Sequence, residues 1–416
     1  MAFAVVVLIG FTGCGVVVID NRPMPAADPA TITPLKIGLL LNFSEGATER
    51  ALERQKAFNL AIKHINAGGG VFGVPVEVAV ADSTLDPEVA VSAAQRLIDE
   101  EGVHAIVGPS SSANALSVAE CVAGPARIPV ISPSATSPLL TGANDDGFFF
   151  RTALSDSALG PVLARVTRER GFTNVGVIYR DDAWGQSLAD AFAAAWKGEI
   201  TLVEFAPDRT DVPAALRQSA SKGAQALVVI TFEAEAGALV RESLALGLYD
   251  QFTFGNAAKS PALVKAIGGD LLGGMYGTAS ASSPQSPSAI AWEEAYRAAY
   301  GSLPEYAYVK ETYDATVALA LAAQAAGSVK GAAIRDHLRS IGNESGVVVI
   351  AGVESIAAGL QVLAEGGEVN YEGAATSLDW DEHGDLRRGH IGVWRFTADE
   401  GIEEVEVIPF EAPAQE

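Results

Sequence analysis

Short apolar runs alternate with helical patterns along the chain from residue 35 onward. Leu35–Leu40, Ala105–Val107 and Pro129–Ile131 are runs with the length and composition of strands buried on both faces of a sheet. Between them, Glu49–Asn66 carries apolar residues at helical spacing, and Pro87–Glu100 begins with a proline, as many helices do. A further strand and helix are predicted at Val74–Val80 and Ser111–Val122. This alternation predicts a parallel sheet covered by helices.

The same alternation begins again after Phe148–Arg151. The predicted strands are Val175–Tyr179, Ile200–Phe205, Ala226–Thr231 and Phe252–Phe254, and the helices are Leu159–Arg170, Trp184–Trp196, Val212–Lys222 and Ala234–Leu246. A Ser/Pro-rich break at Ser280–Ser288 precedes two strong helices, Ala289–Tyr300 and Tyr306–Ala326, and the tail Leu378–Ile408 is strand-like again. The order predicts an α/β chain with two doubly wound parallel-sheet lobes, in which the chain returns to the first lobe and then crosses once more.

The N-terminal segment differs from this body. Residues 1–19 carry no charged side chain, and Phe11-Thr12-Gly13-Cys14 resembles a bacterial lipobox, in which the cysteine is lipidated. We therefore interpret residues 1–19 as an export signal and residues 20–34, with four prolines, as an extended tether. An uncleaved anchor and a plain signal peptide are the alternatives. In each case we expect the bulk of the chain in the periplasm or cell envelope.

Cysteine usage agrees with this interpretation. Cys14 and Cys121 are the two cysteines of the chain, so lipidation of Cys14 leaves no internal disulfide. Cys121 falls on the apolar face of a predicted helix, and we expect a buried free thiol there.

Composition and charge exclude several classes of partner. The chain has 416 residues, which suggests two domains, and its 28 Lys and Arg against 51 Asp and Glu give a net charge of −23. Sequence-independent binding of nucleic acid needs many cations to neutralise phosphates, and docking on an anionic membrane needs them as well. We therefore expect no nucleic-acid partner, and membrane contact only through the N-terminal lipid or anchor.

The chain lacks the motifs of common catalytic and cofactor sites. It contains no phosphate-binding P-loop, no G-x-S-x-G nucleophile turn, no G-x-G-x-x-G dinucleotide motif and no H-E-x-x-H zinc motif. The five histidines are scattered. We predict a protein that is not an enzyme, without catalytic residues, metal or cofactor.

Two polar loops follow neighbouring predicted strands. Gly108–Ser112 comes after Val107, and Ser132–Ser137 comes after Ile131. Open α/β sheets bind ligands at the carboxyl ends of their strands, where hydroxyls and backbone amides can hold an anion. Ordinary helix capping by serine is the alternative for each loop. The presence of both loops on adjacent strands favours a binding site.

Several segments, taken in order, resemble the branched-chain amino-acid (Leu/Ile/Val) periplasmic binding protein family. They are Ile65–Gly73, Asp82–Pro87, Val107–Ser111, Ile131–Pro138, Phe150–Thr152, Asp182–Gly185, Tyr313–Ala315 and Leu378–Asp385. The resemblance extends from about Lys36 to Phe396. The stretch near Gly342–Asn370 is longer than in the shortest members, and Asn370–Gly373 resembles a longer-loop subgroup.

The resemblance implies a type I periplasmic-binding fold, with two lobes, three hinge crossings and a ligand caught between the lobes by hinge closure. The implied lobes are residues 35–153 plus 282–376 and residues 154–281 plus 377–416. In such proteins the two loops of the first lobe hold the ligand carboxylate. By position, the residues implied in that role are Ser110, Ser134, Ala135 and Thr136, with Ser111 beside them.

The second lobe of the family contributes aromatic and acidic side chains. Phe232 and Trp184 match aromatic positions at the cleft, with core packing as the alternative. Asp156 matches an acid close to the ligand, with a helix N-cap as the alternative. Asn256 completes the predicted ligand-binding set.

Two departures from the family bear on the ligand. Ala257 stands where amino-acid binders place an acid that pairs with the ammonium group, and Arg50 stands where several members have an aromatic side chain. Losing an anion and gaining a cation favours a ligand more negative than leucine. Arg50 as a solvated helix residue is the alternative, and Glu233 or Asp156 remains available to an ammonium group.

The predicted function is that of an extracytoplasmic solute-binding protein of an ABC importer. Its expected partners are an amino acid or another small carboxylate and the permease in the inner membrane, and we expect a monomer. A sensor of the same fold is the first alternative. An enzyme on a doubly wound scaffold is the second, disfavoured by the missing motifs.

Overall fold

The computed structural model describes residues 32–44, 47–206 and 211–412. The predicted signal segment with Cys14, and the tether up to residue 31, lie outside the described residues. The account below concerns the unit formed by Pro34–Glu416.

A five-stranded parallel sheet builds the first lobe, with strand order β2-β1-β3-β4-β5. Its strands are β1 (Lys36–Leu41), β2 (Glu77–Asp82), β3 (Ala105–Val107), β4 (Val130–Ser132) and β5 (Phe149–Arg151). Residues Ile37–Leu41 of β1 are all buried, which confirms the prediction of a strand covered on both faces. The edge strand β2 begins at Glu77, because the Asn66 side chain binds both backbone groups of the preceding residue, Val76, at 2.7 and 3.1 Å.

Helices connect these strands and cover the sheet. They are α1 (Thr48–Ala67), α2 (Pro87–Asp99), α3 (Ser112–Val118) and the single turn α4 (Gly124–Ala126). The Asp86 carboxylate accepts from the backbone N–H of Glu88 at 2.8 Å and so caps α2, with Pro87 in its first turn. At the end of α1, Gly69 and Gly70 adopt positive φ, as expected of a glycine run that stops a helix.

A π-helical turn at Ala119–Ala123 joins α3 to α4, and it changes which residues face the core. A π turn holds one more residue than an α turn. Val118 and Ala119 are buried, and so are Val122 and Ala123, whereas Glu120 and Cys121 between them face solvent. The prediction of a buried Cys121 is therefore wrong, and the thiol is free and exposed.

The chain then crosses to the second lobe and repeats the same pattern. The strands are β6 (Asn174–Arg180), β7 (Glu199–Phe205), β8 (Ala226–Ile230), β9 (Phe252–Phe254) and β10 (Tyr276–Ala281). The helices are α5 (Asp156–Glu169), α6 (Ala183–Ala195), α7 (Val212–Ala220), α8 (Glu233–Leu246), α9 (Pro261–Ile267) and α10 (Gly269–Leu272).

After β10 the chain returns to the first lobe, as the order of elements predicts. The returning elements are α11 (Pro287–Tyr300), α12 (Val309–Ala326), α13 (Gly331–Leu338), α14 (Val353–Ala364) and a small parallel sheet of β11 (Val347–Val349) and β12 (Val369–Tyr371). Helix α12 packs on α1 and is buried over most of its length. No single helix in the described part of the chain is long and apolar enough to span a membrane, and α12 passes that test only with Gly331–Ile341, across a bend of 106°.

A third crossing leads to the hairpin of β13 (Arg388–Phe396) and β14 (Ile402–Glu411), which completes the second sheet. The strand order is β14-β13-β10-β9-β8-β6-β7. Strands β6 to β10 run parallel, whereas β13 pairs antiparallel with both β10 and β14. The short connection at Thr397–Gly401 requires this direction, because parallel neighbours need a long crossover. The α/β fold with two sheet-based lobes and three crossings is confirmed.

Two acids, the buried Asp314 and the partly buried Asp385, hold the third crossing in place. Asp314, inside α12, accepts from the backbone N–H groups of Ala374 and Ala375 at 2.7 Å each. At the other end, Asp385 pairs with the fully buried guanidinium of Arg151, with Nε–Oδ1 at 2.6 Å and Nη2–Oδ2 at 2.8 Å. Such bidentate pairs are among the strongest hydrogen-bonded contacts in proteins. The indole N–H of Trp380 adds a bond of 2.7 Å to the Arg151 carbonyl oxygen.

Replacing Asp385→Asn should lower the free energy of unfolding by about 3 kcal/mol, because it leaves the charge of Arg151 buried without a counter-ion. Urea unfolding followed by fluorescence measures the change. The control is Asp336→Asn, which removes the exposed partner of Arg335 and should cost at most about 1 kcal/mol. Equal effects of the two substitutions would contradict the assignment.

Candidate ligand-binding cleft

A cavity enclosing about 1000 Å³ of space, counted to its open mouth, lies between the lobes. Its first-lobe wall is formed by Asn42, Ala47, Arg50, Ala51, Arg54, Leu85, Ser110, Ser111, Ser112 and Ser134. Its second-lobe wall is formed by Arg180, Trp184, Phe232, Ala234, Glu235, Asn256, Ala257 and Lys259. Ala307 and Tyr308, which precede α12, also line it.

The two serine loops at the ends of β3 and β4 are joined by hydrogen bonds. The Ser112 hydroxyl accepts from the backbone N–H groups of Thr136 and Ser137, at 3.2 Å each. The Ser134 hydroxyl donates to the Ser110 carbonyl oxygen at 2.8 Å. Both loops therefore lie on one wall of one cavity, as expected of loops that follow adjacent strands.

Ser111 and Gly108 show how the first loop reaches this wall. The Ser111 hydroxyl accepts from the Asn114 backbone N–H at 3.4 Å and caps α3, so the capping alternative is confirmed for this residue, which also lines the cavity. Gly108 has a φ of 117°, and a Cβ there would overlap the Leu40 carbonyl oxygen. This position requires glycine, because the exit from β3 runs against the backbone of β1.

Two arginines, one helical turn apart on α1, project into the cavity from the first lobe. Arg50 reaches the second lobe, where its Nη2 donates to the Ala257 carbonyl oxygen at 3.0 Å and lies 3.2 Å from the Glu233 carboxylate. Its side chain is 14% exposed, so the alternative of a solvated helix residue is wrong. Arg54 is buried, and burial, with the charge of Arg50, lowers its pKa to about 9.

A stack of three flat groups forms part of the second-lobe wall. The rings of Trp184 and Phe232 lie parallel within 7°, with centroids 5.1 Å apart. The Arg180 guanidinium lies 4.5 Å from the centroid of Phe232, and it pairs with the carboxylates of Asp182 and Glu235. Both aromatic residues thus pack in the wall and also line the cavity.

Tyr308 joins the two lobes at the inner end of the cavity. Its hydroxyl accepts from the Asn256 amide at 2.6 Å. Its backbone, with φ 69° and ψ 23°, is left-handed, a conformation that costs a non-glycine residue on the order of 1 kcal/mol. The conformation places the ring under Arg54, whose guanidinium lies 5.5 Å from the ring centroid.

Asp156, Thr136 and Ala135 lie behind the cavity wall and do not line it. Asp156 is the first residue of α5, and the N-cap is Ser155, so the capping alternative for Asp156 is wrong. The Thr136 hydroxyl lies close enough to the Asp156 carboxyl group to stabilise its charge, but the two groups do not form a well-oriented hydrogen bond. Burial raises the pKa of Asp156 to about 7.

Seven of the ten predicted residues line the cavity, namely Arg50, Ser110, Ser111, Ser134, Trp184, Phe232 and Asn256. The sequence analysis missed the polar lining residues Asn42, Arg54, Arg180, Glu235, Lys259 and Tyr308. Two of these residues could have been found from the sequence. Arg54 follows Arg50 by one helical turn, and Arg180 follows the predicted strand that ends at Tyr179. Across the described ranges, no three His, Cys, Asp or Glu side chains converge as metal ligands do.

A protein-family profile matches most of this chain. The profile described as "Periplasmic binding protein" matches residues 34–359. The chain is 27% identical over 355 residues to a chemotactic signal transduction system substrate-binding protein, BasB, of Halobacterium salinarum, with 83% of each chain covered. It is 28% identical to Leu/Ile/Val-binding protein homolog 3 of Brucella melitensis, over 73% of this chain and 82% of that protein.

A solved structure extends the comparison to three dimensions. The branched-chain amino acid transporter substrate-binding protein LivJ of Streptococcus pneumoniae, in complex with isoleucine, superposes with a TM-score of 0.73. The two chains are 25% identical, and the match covers 91% of this chain and all of that chain.

The pKa of Asp156 leads to a prediction of pH dependence. The folded chain keeps this proton up to about pH 7, whereas the unfolded chain releases it near pH 3.8, so the folded state binds more protons between these values. The free energy of unfolding contributed by Asp156 therefore falls as the pH rises from 4 to 7, by up to roughly 1.4 kcal/mol per unit.

Asp156→Asn should flatten this decline in urea unfolding series of the ligand-free protein. Glu311 and Asp314, whose pKa values burial raises to about 7 and about 6, act in the same direction and keep their share in the variant. Identical slopes for the wild type and the variant would contradict the prediction.

Proposed function

Because the chain belongs to the periplasmic binding protein family, we propose that it is an extracytoplasmic solute-binding protein that captures an amino acid or a related carboxylate between its lobes. The observation that supports this most is the wall formed by Ser110, Ser111, Ser112 and Ser134 at the carboxyl ends of β3 and β4. Hydroxyls and loop amides at that edge of a parallel sheet suit a carboxylate.

We propose that the ligand is held by closure of the lobes about the three crossings. The moving bodies would be residues 35–153 plus 282–376 and residues 154–281 plus 377–416. Contacts across the cleft, away from the crossings, support this mechanism, because polar side chains make them. They include the Arg50–Glu233 ion pair and a hydrogen bond of 2.7 Å between the hydroxyls of Ser137 and Ser187. Such contacts can break and form again as the lobes move.

We propose Asp156 as the partner of a ligand ammonium group when the ligand is an amino acid. Ala257 supplies no carboxylate, and Glu233 is already paired with Arg50. Asp156 accepts no well-oriented hydrogen bond, and it lies directly behind the loop that contains Thr136, whose hydroxyl is its neighbour. An approaching cation would favour the ionised form of this carboxyl group.

The proposed partner beyond the ligand is the permease of an ABC importer in the inner membrane. The protein would act there as a monomer, tethered to the envelope through a lipidated Cys14. The relatives named as Leu/Ile/Val-binding protein and as transporter substrate-binding protein support a transport role.

A sensory role is the second candidate, and one relative favours it. The Halobacterium salinarum protein that covers 83% of this chain is named for chemotactic signal transduction. Neighbouring genes for a permease and two ATPases would favour transport, whereas a gene beside a sensor or transducer would favour signalling.

Thermal shift and calorimetric titration with amino acids and small carboxylates test the binding function. A ligand at 100 times its Kd should stabilise the protein by about 2.7 kcal/mol. Ser134→Ala should weaken binding of that ligand about tenfold, the value of one lost hydrogen bond. Ser92→Ala, an exposed serine on α2, serves as the matched control. Absence of binding to every amino acid and carboxylate would contradict the proposal.

A further inference from the structure

We propose that Arg54, together with Arg50, forms a second anion subsite in this cleft, and that the ligand is a small dicarboxylate, with or without an amino group. One carboxylate would bind the serine wall, and the other would bind the two guanidinium groups. The inference rests on the proposed binding function and goes further by naming the class of ligand.

Arg54 is a buried cation without a carboxylate in direct contact. Among the described residues no carboxylate lies within ion-pair distance of it: the buried Glu311 attracts its charge only from farther away, and the Arg54 Nε has no hydrogen-bond acceptor. Its Nη2 makes one long contact, 3.4 Å, with the Ala307 carbonyl oxygen. Burying an unpaired charge is costly, so such a group calls for an anion that the chain itself does not supply.

Other cations of the same chain have carboxylate partners in direct contact. Arg151, also fully buried, has a bidentate carboxylate partner and donates to the Ser137 carbonyl oxygen at 2.9 Å. On the cavity wall, Arg180 pairs with Glu235 and Lys259 pairs with Glu404. Arg54 departs from this pattern because no carboxylate is in direct contact with it. It borders the cavity between the lobes, which is large enough for a metabolite.

Arg50 is the second cation of the proposed subsite. It lies four residues before Arg54 on α1, and like charges at this spacing destabilise a helix. Its carboxylate partner, Glu233, belongs to the second lobe, so opening of the cleft would leave two adjacent guanidinium groups on the first-lobe wall. A ligand carboxylate would neutralise this pair before the lobes close.

The chemistry of the subsite predicts its selectivity. A planar carboxylate can accept two parallel hydrogen bonds from a guanidinium group, which a methyl or isobutyl group cannot. A monocarboxylate such as butyrate, or leucine with its apolar side chain, would leave Arg54 unpaired in a closed cleft. The cost of that unpaired charge should select against them.

Titration calorimetry of the intact protein with glutarate, glutamate, monomethyl glutarate, butyrate and leucine tests the inference. Glutarate or glutamate should bind the wild type at least about tenfold more tightly than their singly charged or apolar counterparts. Arg54→Gln should remove this preference: glutarate and glutamate should bind more weakly, and leucine and butyrate, which no longer leave a charge unpaired, should bind at least as tightly as to the wild type. Arg54→Lys should restore part of the preference. Arg96→Gln, an exposed arginine on α2, is the control.

The outcomes separate the two proposals. Binding of leucine or butyrate without tighter binding of any dicarboxylate would overturn the dicarboxylate inference alone. An equal loss of affinity for all five probes in Arg54→Gln would also overturn it, because it would assign the arginine a structural role. Absence of binding by all five probes would overturn this inference, and the binding function would fall as well only when the full series of amino acids and carboxylates fails to bind. The esterified probe measures the charge preference even if the variants do not fold.

Discussion

The buried ion pair between Arg151 and Asp385 is the interaction on which the arrangement of both lobes depends. Arg151 ends the last strand of the first sheet, and Asp385 lies in the third crossing, just before the final hairpin of the second sheet. The same guanidinium donates to the Ser137 carbonyl oxygen and so holds the loop that also contains Ser134. One side chain thereby fixes a wall of the cleft, a crossing between the lobes and the entry to the second sheet.

Elements with a complete local signal were predictable from the sequence. Continuous apolar runs such as β1 and β8 lie where expected, because burial on both faces leaves few alternatives. Strand β10, with the sequence YGTASA, has no apolar run, and its strand character comes from pairing between β9 and β13. The exposure of Cys121 depends on a π turn that periodicity cannot reveal.

The candidate site likewise contains residues that could be predicted from the sequence and residues that could not. Ser110 and Ser134 follow strands, and the carboxyl end of a parallel strand is where binding residues are expected, so the first wall was predictable. Tyr308 depends on a left-handed backbone at the start of α12, and the lack of a directly paired carboxylate at Arg54 emerges only when α1 is packed beside the segment that leads into α12. The charge of the cleft lining also depends on the tertiary structure and not on the composition of the chain. A chain with a net charge of −23 places four cations and a single carboxylate among the described residues that line its cleft.

The final strand, β14, has a consequence for the behaviour of the protein at high concentration. It is ten residues long and forms the outer edge of the seven-stranded sheet, and an edge of that length offers unpaired N–H and C=O groups to a strand of another molecule. Glu403, Glu404 and Glu406 along it are each ion-paired with a cation of the same chain, and Pro409 removes one donor. A second molecule that added its own β14 would have to accommodate or break these ion pairs. The charged side chains at this edge thus act against aggregation.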